Sequence, residues 1–162
     1  LTGAGQDARA WWSDEEWATL TNESDCGMCA DAHLDENPHS ILVGSTATTH
    51  TRLARNQAHP GYSLVILREH VTDLVELEPA TLEAFWSDVQ RAGRAITAVF
   101  APRKIDYLVM GHRMPHLHCH LLPQHPDDDP LRNGDISDGP IFPSAEALAR
   151  DAQALWKAWG RG

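Results

Sequence analysis

The chain is poor in basic residues, in cysteine and in long apolar runs, and each shortage narrows its function. Thirteen Lys and Arg stand against 23 Asp and Glu, a net charge of −10 with histidine neutral. That field opposes a polyanion such as DNA or RNA, so an anionic ligand must be small and held by a local site. No apolar run approaches the roughly 20 residues of a membrane span, and no internal repeat is visible. Three cysteines cannot complete a disulfide framework, and a Cys-x-x-Cys pair among them fits a reducing compartment. The opening LTGAGQDARA lacks the apolar core of a secretion signal. The expectation is a cytoplasmic protein, with no nucleic-acid or membrane partner.

What remains suits one compact domain of 162 residues with 42% hydrophobic content. Ser13 and Glu16 read as a capping box for a short helix, with Trp12 and Trp17 placed for a hydrophobic staple. The polar stretch after Cys29 reads as loop. Strands are predicted at about 40–46, 50–56 and 62–68, the last after a Pro60-Gly61 turn. Leu82, Phe85, Trp86, Val89, Ile96 and Phe100 recur at near-helical spacing after Pro79, predicting a long helix. KIDYLVMG and HLHCHLL read as further strands. The polar run after Pro123 reads as a loop able to close over a pocket, and Ser144 caps a final amphipathic helix. The expected class is α+β, with a mainly antiparallel sheet, one long helix and a C-terminal helix.

Four of the ten histidines fall within nine residues, in HRMPHLHCH. Alternate side chains of a strand share a face, so His116, His118 and His120 point one way while Leu117, Cys119 and Leu121 point to the core. Cys119 reads as a small buried hydrophobe. Three imidazoles on one face offer a nucleophile, donors and metal ligands near neutral pH. Upstream, the thiols of Cys26-Gly27-Met28-Cys29 suit a redox pair, half of a tetrahedral zinc site, or chance; no βαβ unit is present to support the first.

PHLHCHLLP resembles the signature of the histidine triad (HIT) superfamily. The likeness extends through NQAHPGYSLVILREHVTDLVELEP, DYLVMGHRMPHLHCHLLP and the downstream DDDP…GPIF, about Cys26 to Phe142. It implies a HIT-like fold and nucleotidyl transfer or hydrolysis at the α-phosphate of a nucleotide conjugate. His118 would attack phosphorus, held by the backbone carbonyl of His116; His120 would donate to a phosphate oxygen, and His112 would meet the leaving group. Gln57, Gly111, Ser63 and, more weakly, His59 are pocket candidates. Zinc-bearing branches imply a structural zinc on Cys26, Cys29, His70 and His116. In relatives His112 and Ala54 are commonly asparagine, departures that bear on the substrate more than on the mechanism. Residues 1–25 are expected as a helical extension, 26–143 as the catalytic domain, and 144–162 as its C-terminal helix. The resemblance also implies a homodimer through the apolar side of LEAFWSDVQRAGRAI. Two other readings stay open: a non-catalytic nucleotide-binding or interaction protein on the same fold, and a zinc hydrolase that uses the histidines as ligands.

Overall fold

A computed structural model describes residues 10–132 and 134–161. Helix α1 (Asp14–Leu20) starts at the expected capping box, Ser13 with Glu16. Residues 1–9 of the expected N-terminal extension lie outside the described residues. The tryptophan staple differs from expectation. Trp11, not Trp12, packs its ring 5.5 Å from that of Trp17, while the Trp12 indole N–H donates to the carbonyl of His112 at 2.7 Å. A carbonyl partner for the half-buried indole outweighs the local staple contact.

Cys29 sits on a one-turn helix, α2 (Gly27–Asp31), and Cys26 occupies its N-cap position without a side-chain capping bond. Three strands follow: β1 (Ser40–Ser45), β2 (Thr49–Ala54) and β3 (Ser63–Leu67). The long helix α3 (Pro79–Phe100) begins on Pro79, whose missing N–H costs nothing in a first turn. Then come β4 (Lys104–Val109), β5 (His118–Gln124) and α4 (Ala145–Trp159). The sheet runs β1-β2-β3-β5-β4 with every neighbouring pair antiparallel. The α+β class is therefore as expected. No helix among the described residues is long and apolar enough to cross a membrane.

One sheet face carries the core. Val43, Leu53, Val65, Leu67, Cys119 and Leu121 meet Phe85, Val89, Ala92 and Ile96 of α3 and Leu148, Leu155 and Trp159 of α4. Gly44 is required there: a Cβ would lie 2.5 Å from the Trp159 ring. Gly61, at φ +90, makes the turn into β3 in a conformation other residues avoid. Asp88 is buried on α3 but satisfied, accepting from the Thr46 and Thr49 hydroxyls at 2.6 and 2.8 Å. Trp86 faces solvent, 39% exposed, against the helical-spacing expectation. Phe85, Val89, Ala92 and Ile96 on the apolar side of α3 pack against its own sheet and α4.

The opposite face carries the chemistry. Across it Leu64 of β3 pairs with His120 and Ile66 with His118. Arg52 of β2 is fully buried, with no carboxylate partner among the described residues. It donates to the carbonyls of Ala32, Leu34 and Ser40 and to the Ser40 hydroxyl. This one guanidinium ties the chain leaving α2 to the sheet.

Candidate active site and metal centre

His116 and Leu117 come just before β5, hooked into place by Leu117 N–H to the Val71 carbonyl (2.7 Å) and Leu67 N–H to the Leu117 carbonyl (3.0 Å). The strand begins at His118, and alternation sends Cys119 and Leu121 to the core as predicted. His116, His118 and His120 share the other face. They are not a solvated polar surface, being only 1%, 4% and 6% exposed.

Each ring is fixed at both ends. His118 Nδ1 lies 2.5 Å from the carbonyl oxygen of His116, and its Nε2 lies 3.0 Å from Nε2 of His120. His120 Nδ1 lies 2.7 Å from the Tyr62 hydroxyl. Burial lowers the pKa of His118, partly countered by its bond to the His116 carbonyl. Burial, then the neighbouring His118, takes His120 down to about 4. Both imidazoles are neutral at pH 7, as a nucleophile must be.

A second cluster abuts the first. Cys26 Sγ is 3.3 Å from His116 Nδ1, and Cys29 Sγ is 3.3 Å from His70 Nδ1 and 3.4 Å from His116 Nδ1. The four possible ligand atoms lie within 4.8 Å of one another. The remote nitrogens are already used: His116 Nε2 donates to the Leu67 carbonyl at 2.7 Å, His70 Nε2 to the Thr21 carbonyl at 2.9 Å. A carbonyl only accepts, so each Nδ1 presents a lone pair toward the thiols. That outer shell is the one metal-bound imidazoles use, and two sulfurs with two nitrogens suit tetrahedral zinc. Burial, then the Cys26 thiol, pushes Cys29 up to about 12. Cys29 favours its thiolate only beside a strong positive charge. The donor set fits a metal ion.

A cavity of about 480 Å3 opens over the triad face. All three methionines of the chain, Met28, Met110 and Met114, line it, with Leu64, Ile66 and Ile136. Its charged groups are Asp31, Arg113 and Asp135. His112 and Gly111 line it together with His118 and His120. Residues 135–137 of the polar loop after β5 form part of its wall, where that loop was expected to close.

Gln57 and Ser63 are placed elsewhere. Gln57 clamps the Pro-Gly turn, donating to the carbonyls of Ala54 (2.7 Å) and Tyr62 (3.1 Å) and accepting from Gly61 N–H (2.7 Å). Ser63 donates to the Gly61 carbonyl at 2.9 Å. Their polar atoms are spent on backbone. His59 pairs with Asp138 at 3.1 Å, and Ala54 packs with Tyr62 and Leu122. Tyr62 was not foreseen, because it reads as one more apolar strand residue; only its hydroxyl, next to the Pro-Gly turn, hinted at more. Asn37 and Ser40, also in the cavity wall, read as ordinary loop and strand polarity.

A five-stranded antiparallel sheet backed by a long helix, with a buried run of alternating histidines on its free face, defines a histidine triad protein. The HIT domain family matches residues 35–127, more than half of the sequence. The chain belongs to the HIT family. Solved structures of similar fold include a histidine triad protein from Bradyrhizobium japonicum, with TM-score 0.68 and 16% identity. That match covers 74% of this chain and 90% of the other. A zinc-bound histidine triad family protein from Mycobacterium smegmatis matches with TM-score 0.64 and 21% identity, covering 86% and 96%. A hypothetical histidine triad nucleotide-binding protein from Sulfolobus tokodaii matches with TM-score 0.67 and 17% identity, covering 84% and 93%.

Proposed function

We propose that this protein is a nucleotidyl hydrolase or transferase acting at the α-phosphate of a nucleotide conjugate through a covalent intermediate on His118. The observation that carries the reading is the hydrogen bond from His118 Nδ1 to the His116 carbonyl. It leaves Nε2 unprotonated, on the wall of the cavity. Nε2 attacks phosphorus, an N–P bond forms, and the bond to the leaving group breaks with its electron pair. His112 supplies the proton the departing atom needs. His120 Nε2–H, one hydrogen bond from the attacking atom, moves onto a phosphoryl oxygen as charge gathers there. Water or another acceptor then releases the nucleotide and regenerates His118.

Cys26, Cys29, His70 and His116 would hold a structural zinc. Its contribution is a cross-link: four protein ligands leave no position for substrate. Because His116 offers its ring to the metal and its carbonyl to His118, the same residue anchors both. With Asp31 and Asp135 against Arg113, the cavity carries little positive charge. This favours conjugates with a single anionic phosphate, such as phosphoramidates, over dinucleoside polyphosphates. The protein acts in the cytoplasm as a homodimer. The edge strand β4, with Tyr107 and Val109 exposed, is the surface for pairing.

The test is a screen of adenosine and guanosine phosphoramidates and dinucleoside polyphosphates, read as mononucleotide release by mass. An alkali quench and peptide mapping follow, with the adduct expected on His118. His118→Asn should still fold and bind nucleotide while turnover drops by several orders of magnitude. An adduct on His112 or His120, or nucleotide binding without any turnover by the wild type, would replace this reading, the second outcome with a binding protein.

A further inference from the structure

We infer that Tyr62 is the positioning residue that sets the proton arrangement of the histidine pair, its hydroxyl donating to His120 Nδ1 and so holding the Nε2–H tautomer of His120. The inference rests on the proposed role of His118, but its geometry stands by itself.

The direction of every bond follows from one fixed end. The His116 carbonyl can only accept, so His118 carries its proton on Nδ1 and leaves Nε2 bare. His120 Nε2 lies 3.0 Å from that bare nitrogen. Two lone pairs cannot face each other at this distance, so His120 bears its proton on Nε2. A neutral ring has one N–H, so His120 Nδ1 is bare, and the Tyr62 hydroxyl 2.7 Å away must be the donor. The chain reads Tyr62 O–H to His120, His120 N–H to His118, His118 N–H to the carbonyl. Without the hydroxyl, the buried Nδ1 has no donor to hold it, and the ring can turn its Nε2 away from His118 and carry its proton on Nδ1 instead. A ring so turned no longer aims an N–H at the nucleophile or at a phosphoryl oxygen.

Tyr62 is built to hold this post. Its ring stacks on His120 with centroids 6.0 Å apart and planes tilted 24°. It is buried among Ala54 and Leu122, with Leu64, Leu108 and Ile136 against the cluster. Its carbonyl is gripped by Ala54 N–H at 3.0 Å and by the Gln57 amide. Burial also raises the phenol pKa, so the hydroxyl keeps its proton. The chain orients the donor without passing a proton along it, consistent with the leaving-group proton coming from His112. A hydroxyl has a further advantage over a fixed donor: by rotating, it can accept from Nδ1–H whenever His120 becomes charged.

The experiment uses uniformly 15N-labelled full chain, as purified with its metal, at pH 7. Long-range proton–nitrogen correlation spectra report which ring nitrogen of His120 is protonated, with no substrate needed. The wild type should show Nε2–H on His120, and Tyr62→Phe should show Nδ1–H or a mixture. With a nucleoside phosphoramidate, Tyr62→Phe should lower kcat about 10- to 100-fold while KM stays within about twofold, since one donor to the developing charge is misplaced. A wild-type His120 protonated on Nδ1 overturns the inference, as does a Phe variant with the wild-type tautomer or unchanged kcat. If no conjugate is turned over by the wild type, the function fails, and the spectra of the two proteins still decide on Tyr62.

Discussion

Replacing Arg52 by methionine tests how the metal-bearing segment is fixed to the sheet. The guanidinium reaches Ala32 and Leu34 carbonyls at 2.6 Å each, the Ser40 hydroxyl at 2.7 Å and the Ser40 carbonyl at 3.1 Å. Methionine keeps most of the stem and removes every donor. Leu34 is exposed, so water replaces the donor at its carbonyl, and the Ser40 hydroxyl can turn. The carbonyl of buried Ala32 is left unpaired, at ~1–3 kcal/mol, while that of Ser40 keeps the Asn37 N–H at 3.0 Å. Relief from burying a charge, which already lowers the Arg52 pKa, offsets part of that. The net expected loss is about 2 kcal/mol, or roughly 4–8 °C in melting temperature for a chain of this size. Lysine keeps the charge but not the fork and should recover less than half. The assay is urea unfolding at saturating zinc, where the midpoint should fall with an unchanged slope. A loss below about 1 kcal/mol, or full recovery by lysine, would refute the account of Arg52 as the clamp.

Three further outcomes are expected. Cys26→Ser should lower bound zinc, measured by mass spectrometry of the metal, together with the melting temperature, because ligand binding and folding are linked; equal stability without metal would remove the structural role. Cys119→Val should leave activity within about tenfold, since the side chain is fully buried on the core face; a larger fall in kcat would mean that face matters to the chemistry. Stability should decline as pH drops from about 6.5 to about 4. His50, lowered to about 4 by burial and then by Arg68 and Arg52, and His120 stay neutral when folded, while the unfolded chain takes up protons in that window. Urea midpoints at fixed zinc should show this slope, shallower in His50→Gln; an unaltered slope in that variant counts against it.

Periodicity made most of the architecture readable. The capping box at Ser13, the Pro-Gly turn, the Pro79 helix entrance and the alternation of β5 are local signals, and local signals survive folding. Long-range contacts were less legible. Trp86 has helical spacing to its apolar neighbours, but α4 covers only one side of α3, so it stays in solvent. Gln57 and Ser63 were read as pocket residues because polarity near a turn looks the same whether it serves a ligand or the backbone. Arg52 lies in an all-buried strand with nothing nearby in sequence to announce its carbonyl partners. Tyr62 needed a distance of 58 positions to close before its hydroxyl found His120.

The concentration of methionine in one place has a practical use. Met28 comes from α2 and Met110 and Met114 from the β4–β5 connection, and together they account for every methionine in the chain. Labelling with methyl-13C methionine therefore yields a spectrum of three resonances, each from a wall of the cleft. Any peak that moves on adding a compound reports an event at that cleft, with no assignment of the remaining protein. A thioether is also the side chain most readily turned polar by mild oxidants. Peroxide would strike the lining of the site at up to three points at once, and the same three signals would record it.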